Sequence, residues 1–191
     1  DFKFLPPGRG LWAMDLDLIE KKGSGALNNC AFVSTDELGV SFSAPFTFAM
    51  DMLMLGVGVG FDTLGKNNIT LRKPKVNGTL VVEDTREGWV KLIETILESF
   101  MGNTEFPQVI DYSKIRKKGQ PIKTFGGTSS GPEPLAILVN EIKNIISGNN
   151  VNPEFTKECT QTFTQQQLEF ISLKITSTQI VDMFNYIGKC V

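Results

Sequence analysis

Glycine at every second position of Gly56-Val57-Gly58-Val59-Gly60-Phe61 is the tightest constraint on this chain. Glycines at that spacing weaken a helix, whereas in a strand the spacing puts all of them on one face and leaves that face bare. The run follows Ser43-Ala44-Pro45 and then Phe46, Phe48, Met50, Met52, Leu53, Met54 and Leu55. Serine and proline at a first turn, followed by apolar residues all round, predict a helix buried on most faces, with the methionines filling gaps in the core. A dinucleotide fingerprint does not fit, because these glycines follow a helix and open a strand. A bare strand face lets another backbone or a ligand approach closely. The expectation is a strand edge that leaves room beside its neighbour.

The neighbour that suits it is Cys30-Ala31-Phe32-Val33-Ser34-Thr35, whose β-branched and aromatic content predicts a buried strand, with Asn28-Asn29 supplying the turn before it. A thiol on a strand is rigidly aimed, and flanking amides can hydrogen-bond a polar ligand, which suits redox or radical chemistry at sulfur. The plain alternative is a small buried hydrophobe, since free cysteine is among the most buried residue types.

Composition narrows the chemistry. The chain has no histidine, which removes the commonest general base, the commonest metal ligand and every Ser-His or Cys-His nucleophile from this polypeptide. No metal site is expected. Three cysteines without close pairing point to a reducing, cytoplasmic compartment rather than a disulfide framework. A net charge of −2 from 19 basic and 21 acidic residues gives no general attraction to nucleic acid or anionic lipid, and no apolar run reaches membrane-spanning length. The basic clusters Arg72-Lys73-Pro74-Lys75 and Arg116-Lys117-Lys118 read as solvated loop charge. The 191 residues suffice for a single domain with a real core, and a start at Asp1 with an end inside a helix pattern reads as a piece of something longer.

The remaining elements follow in order. Phe4 to Trp12 reads as a rigid extended turn, with Arg9 either paired on the surface or aimed at an anionic ligand. Asn77-Gly78 predicts a hairpin turn between Thr70-Leu71 and Thr79 to Val82. Asp84 with Glu87 reads as a capping box before a helix carrying Trp89, Leu92, Ile93, Ile96, Leu97 and Phe100, and Val109 to Tyr112 and Pro121 to Phe125 read as strands. Gly126 to Pro132 opens a helix with Leu135, Leu138, Val139, Ile142, Ile145 and Ile146. Its residues Gly127, Thr128, Ser129 and Ser130 are either an anion site at a helix N-terminus or an ordinary capped turn. Gly148 to Thr164 reads as a loop holding Cys159, and a last helix from Ser177 or Thr178 brings Cys190 into the core. Alternating strands and helices argue an α/β arrangement with largely buried strands.

Six segments together resemble one family: FLPPGRGLW at Phe4 to Trp12, LNNCAFV at Leu27 to Val33, PFTFAMDMLMLGVGVGF at Pro45 to Phe61, DTREGWV at Asp84 to Val90, FGGTSSGPEPL at Phe125 to Leu135 and DMFNYIGKCV at Asp182 to Val191. Their order and content resemble the first part of the catalytic barrel of an adenosylcobalamin-dependent, class II ribonucleotide reductase. The cobalamin class rests on LPPGRG and FGGTSSGP, because the barrel and the cysteine position are shared with the other classes.

The resemblance implies a partial ten-stranded α/β barrel over residues 1–191, with an effector or interface region at 62–124. It implies deoxyribonucleotide formation from ribonucleoside triphosphates or diphosphates by thiyl-radical chemistry, with adenosylcobalamin as cofactor, a dNTP effector and a thioredoxin-type reductant. On this footing Cys30 stands at the first thiol of the redox-active disulfide pair, and Asn29, Gly58 and Gly60 line the substrate ribose. The family's thiyl cysteine in its Asn-x-Cys-x-Glu context, the second reducing cysteine, most cobalamin contacts and the substrate phosphate loop lie downstream of the matched segments. The chain alone is therefore expected to be inactive. The other reading is a non-catalytic nucleotide-binding or interface piece from a split or degenerate paralogue.

Overall fold

The computed structural model describes residues 7–14, 17–122, 127–148, 153–168 and 174–191. The chain runs α1 (Gly8–Ala13), α2 (Asp17–Lys22), a 3-10 turn (Ser24–Leu27), β1 (Cys30–Val33), α3 (Ala44–Met54) and β2 (Gly58–Phe61). It continues through β3 (Val76–Val81), α4 (Arg86–Ser99), β4 (Phe106–Asp111), α5 (Glu133–Ser147), β5 (Thr160–Thr162), a 3-10 turn (Gln165–Leu168) and α6 (Ser177–Cys190). Helices α3 and α4 each join a pair of parallel strands, β1 with β2 and β3 with β4, and β5 adds antiparallel to β4. The two βαβ units meet helix to helix, α3 against α4, while α6 packs on both α3 and α5. The arrangement is α/β, as the alternation predicts.

The main core is a cluster drawn largely from α3, α4, α5, α6 and the inner face of β4. Aromatic contacts thread it. Phe46 of α3 lies 4.8 Å from Phe184 of α6, and Phe184 stacks at 3.9 Å on Phe61, which anchors β2 to the last helix. Phe106 of β4 packs edge-on against Phe100 and Phe163. Helix α6 starts with a complete capping box, Thr176 with Gln179, and carries Ile180, Met183, Phe184, Ile187 and Cys190 into the core.

Several local expectations give way to tertiary context. Gly8 to Trp12 belongs to a helix, not an extended turn: Pro7 sits at the N-cap, where its fixed φ suits a first turn, and residues 1–6 lie outside the described residues. Asn77 and Gly78 lie inside β3, with Asn77 opposite Pro107 and Thr79 opposite Val109. Gly78 keeps a positive φ of 74° inside the strand, and Thr70 bridges Lys174 instead of forming a hairpin arm. Helix α4 is capped one residue later than the capping-box pattern suggests: Thr85 Oγ1 accepts from the Gly88 amide at 3.0 Å, and Asp84 is turned toward Arg116.

The strands are also less buried than expected. β1 and β2 alternate exposed and half-buried residues, and β3 is mostly exposed, so among the described strands β4 is the most buried. The loop from Gly148 contains β5, which pairs with β4. The expected strand from Pro121 reaches residues outside the described ones, and within them Pro121 makes a single bridge to Thr128.

Candidate functional site

β1 and β2 run parallel with Cys30 opposite Gly58, Ala31 opposite Val59, Phe32 opposite Gly60 and Val33 opposite Phe61. Paired residues share a face. Val33, Val59 and Phe61 turn inward against the main core, and Ala31 packs on a small cluster of Ala26, Leu55 and Val57. The other face carries Cys30, Phe32, Gly58 and Gly60, all exposed, with Phe32 at 64%. The thiol therefore stands on an open face and not in a buried strand, because β2 contributes no side chain to cover it.

What the glycines leave out can be measured. Among the described residues a methyl group on Gly58 would meet only the Asn29 carbonyl, at 3.8 Å, so they leave the space beside Cys30 open. On Gly60 it would come to 3.4 Å from the Phe32 ring, which lies across that position. The Gly58 amide donates to the Asn29 carbonyl at 3.0 Å, while the Asn29 residue itself is exposed. Cys30, Asn29 and Gly58 are thus brought together at one end of the strand pair, whereas Gly60 lies two residues further on, opposite Phe32 and under its ring.

Each end of the pair is held by one side chain. Beyond Cys30 and Gly58, Arg9 donates to the carbonyls of Asn28 at 2.7 Å, Gly56 at 2.9 Å and Leu55 at 2.9 Å. At the other end Asp62 accepts from Ser34 Oγ at 2.7 Å, from the Thr35 amide at 2.9 Å, from Thr35 Oγ1 at 2.7 Å and from the Leu64 amide at 3.1 Å. Desolvation works against the Asp62 charge, but these hydrogen bonds outweigh it and hold the carboxyl at about 2. Sequence reasoning missed Asp62, although an acid directly after a glycine-rich strand was the available signal.

The other two cysteines have different surroundings. Burial pushes the Cys190 thiol up to about 12, so it carries almost no thiolate near neutral pH. Cys159 is half-buried, and its carbonyl accepts from the Tyr112 amide at 2.9 Å.

A second concavity of about 430 Å³ opens at the start of α4. Met54 and Trp89 give it an apolar wall, and Thr85, Arg116, Ser129 and Ser130 give it polar groups. Arg116 Nε donates to Asp84 at 2.6 Å and Arg86 to Asp51 at 2.7 Å, so both cations are paired. The Gly127 to Ser130 stretch folds back on residues 119–122: the Ile122 amide donates to Gly127, the Ser129 amide to Gln120 and the Gly119 amide to Ser129. Gly127 and Thr128 lie exposed on the returning arm, whereas Ser129 and Ser130 reach the concavity. Arg116, read from sequence as loop charge, is a lining residue here. A smaller concavity of about 400 Å³ lies along Val33, Ser34, Asp36 and Glu37. Among the described residues there is no cluster of three or more metal-ligating side chains, and no helix is long and apolar enough to cross a membrane.

Comparison with known proteins gives a consistent result. Residues 64–146 match the family model described as the insertion domain of B12-dependent ribonucleotide reductase. The chain is 42% identical over 210 residues to the probable adenosylcobalamin-dependent ribonucleoside-triphosphate reductase of Dictyostelium discoideum, covering 100% of this chain and 25% of that protein. It is 43% identical over 194 residues to the adenosylcobalamin-dependent ribonucleoside-triphosphate reductase of Euglena gracilis, covering 100% of this chain and 24% of that protein. The crystal structure of a B12-dependent, class II ribonucleotide reductase shares the fold, with a TM-score of 0.66 at 23% identity over 97% of this chain and 30% of that one. The chain thus spans about a quarter of the length of the curated relatives it matches.

Proposed function

The chain belongs, as a part of the whole, to the B12-dependent, class II ribonucleotide reductases, and on that footing we propose that it carries the first thiol of the reducing pair, Cys30, in an enzyme that converts ribonucleoside triphosphates to deoxyribonucleotides. The observation that carries the reading is the open face itself, where Cys30 stands exposed beside two positions without side chains. A ribose laid against Gly58, bordered by the Phe32 ring that lies across Gly60, would have its edge next to the sulfur, with the exposed Asn29 amide at the same end. Cys30 and a second cysteine outside this chain would together give two electrons and two protons. The 2′ hydroxyl leaves as water, the 2′ carbon gains hydrogen, and the two sulfurs form a disulfide. A thioredoxin-type dithiol would then reduce that disulfide, and an exposed first thiol is reachable for such exchange.

Adenosylcobalamin supplies radical initiation in this reading. Concavities of about 430 and 400 Å³ do not enclose a corrin, so its contacts are assigned to the rest of the enzyme, and no step here passes through it. The region 62–124 serves the effector. The concavity at the start of α4 fits a dNTP by its chemistry: Met54 and Trp89 for the base, Ser129 and Ser130 hydroxyls for the sugar, and Arg116 for phosphate at the expense of its pairing with Asp84. A cytoplasmic location is part of this proposal, since three cysteines without close pairing suit a reducing compartment.

The test uses a full-length polypeptide that contains this chain. Cys30→Ser should abolish multiple-turnover dNTP formation while leaving substrate binding in place, and unchanged turnover would sink the thiol assignment. Arg116→Gln should weaken dNTP effector binding measured by calorimetry and leave unstimulated turnover intact.

A further inference from the structure

We infer that Arg9 is a positioning residue for the Cys30 thiol, joining the two chain segments two residues before the place where Cys30 faces Gly58. The inference rests on the reading of Cys30 as a reducing thiol. β1 and β2 are four residues each, and among the described residues they pair only with one another. A two-stranded pair is marginal by itself, so its spacing must be imposed from outside.

Arg9 does this from the end of the pair. The last backbone link at this end is the Gly58 amide to the Asn29 carbonyl, and the Asn28 and Gly56 carbonyls that share Arg9 Nη1 stand two residues before Cys30 and Gly58. The guanidinium thus links the two segments just outside the paired residues. Its Nη2 bonds the Leu55 carbonyl at the end of α3, where the negative pole of the helix favours a cation.

Gly56 supplies an independent observation. Its φ is +76°, and a methyl group there would lie 2.6 Å from Arg9 Nη2, so the residue is bare at the point where the guanidinium arrives. A lysine offers a point charge without the planar fork and cannot span the same three carbonyls in one plane.

The experiment compares Arg9→Lys, Arg9→Gln and wild type in the full-length reductase by peptide-resolved hydrogen exchange, melting temperature and steady-state kinetics. The expected result is faster exchange confined to the peptides covering Cys30–Val33 and Gly58–Phe61, with α5 unchanged. With it, kcat falls by about tenfold to a hundredfold while the substrate KM holds, since a small misplacement of a reacting group costs that much. The milder lysine variant should fall between. Unchanged exchange at Gly58 overturns the inference, as does exchange that rises uniformly through α5, which would mean a general loss of fold. Faster exchange with normal turnover overturns it too. The exchange readout does not depend on the chemistry of Cys30, so failure of the thiol reading, seen with Cys30→Ser, is told apart from failure of this one.

Discussion

Gly58 acts on Cys30 through what it lacks. Its surroundings would accept a methyl group, at 3.8 Å from the Asn29 carbonyl, yet any side chain there would stand beside the thiol. Gly58→Val should therefore leave the melting temperature unchanged or slightly raised, because valine favours strands, and should slow alkylation of Cys30 by a bulky maleimide. In the same experiment, at about pH 8, iodoacetamide should label Cys30 and spare Cys190, whose thiolate burial suppresses. Asp62 adds a pH dependence. Its folded value of about 2 lies below the ordinary 3.8, so the carboxylate favours the folded strand end. That contribution is complete above 3.8, and it is lost as pH falls through that window toward 2. Acid titration of wild type against Asp62→Asn should show the difference vanish at the low end, and a difference independent of pH would refute the assignment. The sequence made Cys30 and its glycines visible because a strand period and a thiol are local facts. Arg9's role was hidden because its partners lie 19, 46 and 47 residues away.

At the scale of elements, the amphipathic helices were legible and the strand contexts were not. Trp89, Leu92, Ile93, Ile96 and Leu97 repeat at helical spacing and are all buried in α4, because the 3.6-residue period records the packed face directly. Asn77-Gly78 failed as a turn signal because a permissive dipeptide says only that a positive φ is available, and the parallel pairing with β4 used it inside a strand. The openness of β1 was equally unreadable: alternation separates two faces without saying what covers each. Two element-level changes follow. Thr85→Ala removes the side-chain cap of α4 and should cost about 1 kcal/mol in denaturant unfolding. Gly65→Ala should do much more. A methyl group there would fall 2.0 Å from the Thr35 carbonyl, so the turn after β2 would have to move off the Asp62 clasp, at a cost of about 4 kcal/mol or loss of folding.

For the whole molecule, two βαβ units share one core through α3 and α4, and α6 closes against α3 and α5. Phe184 is where this closure reaches the thiol edge, since its ring stacks on Phe61 directly behind the glycine face. Phe184→Ala should destabilise the chain by about 3–5 kcal/mol, read from the denaturant midpoint, because it leaves a void among buried rings. The side chains that hold β1 and β2 sit at the ends and behind the pair, so the face bearing Cys30 is left clear. That clearance carries a lesson for anyone sampling variants of this protein. A library sorted for expression or heat resistance would pass side chains at Gly58 freely and even enrich some of them. If Cys30 has the proposed role, a growth selection for deoxyribonucleotide supply would strike them out, so agreement between the two sorts elsewhere and disagreement at this one position would test that role without any ligand being seen.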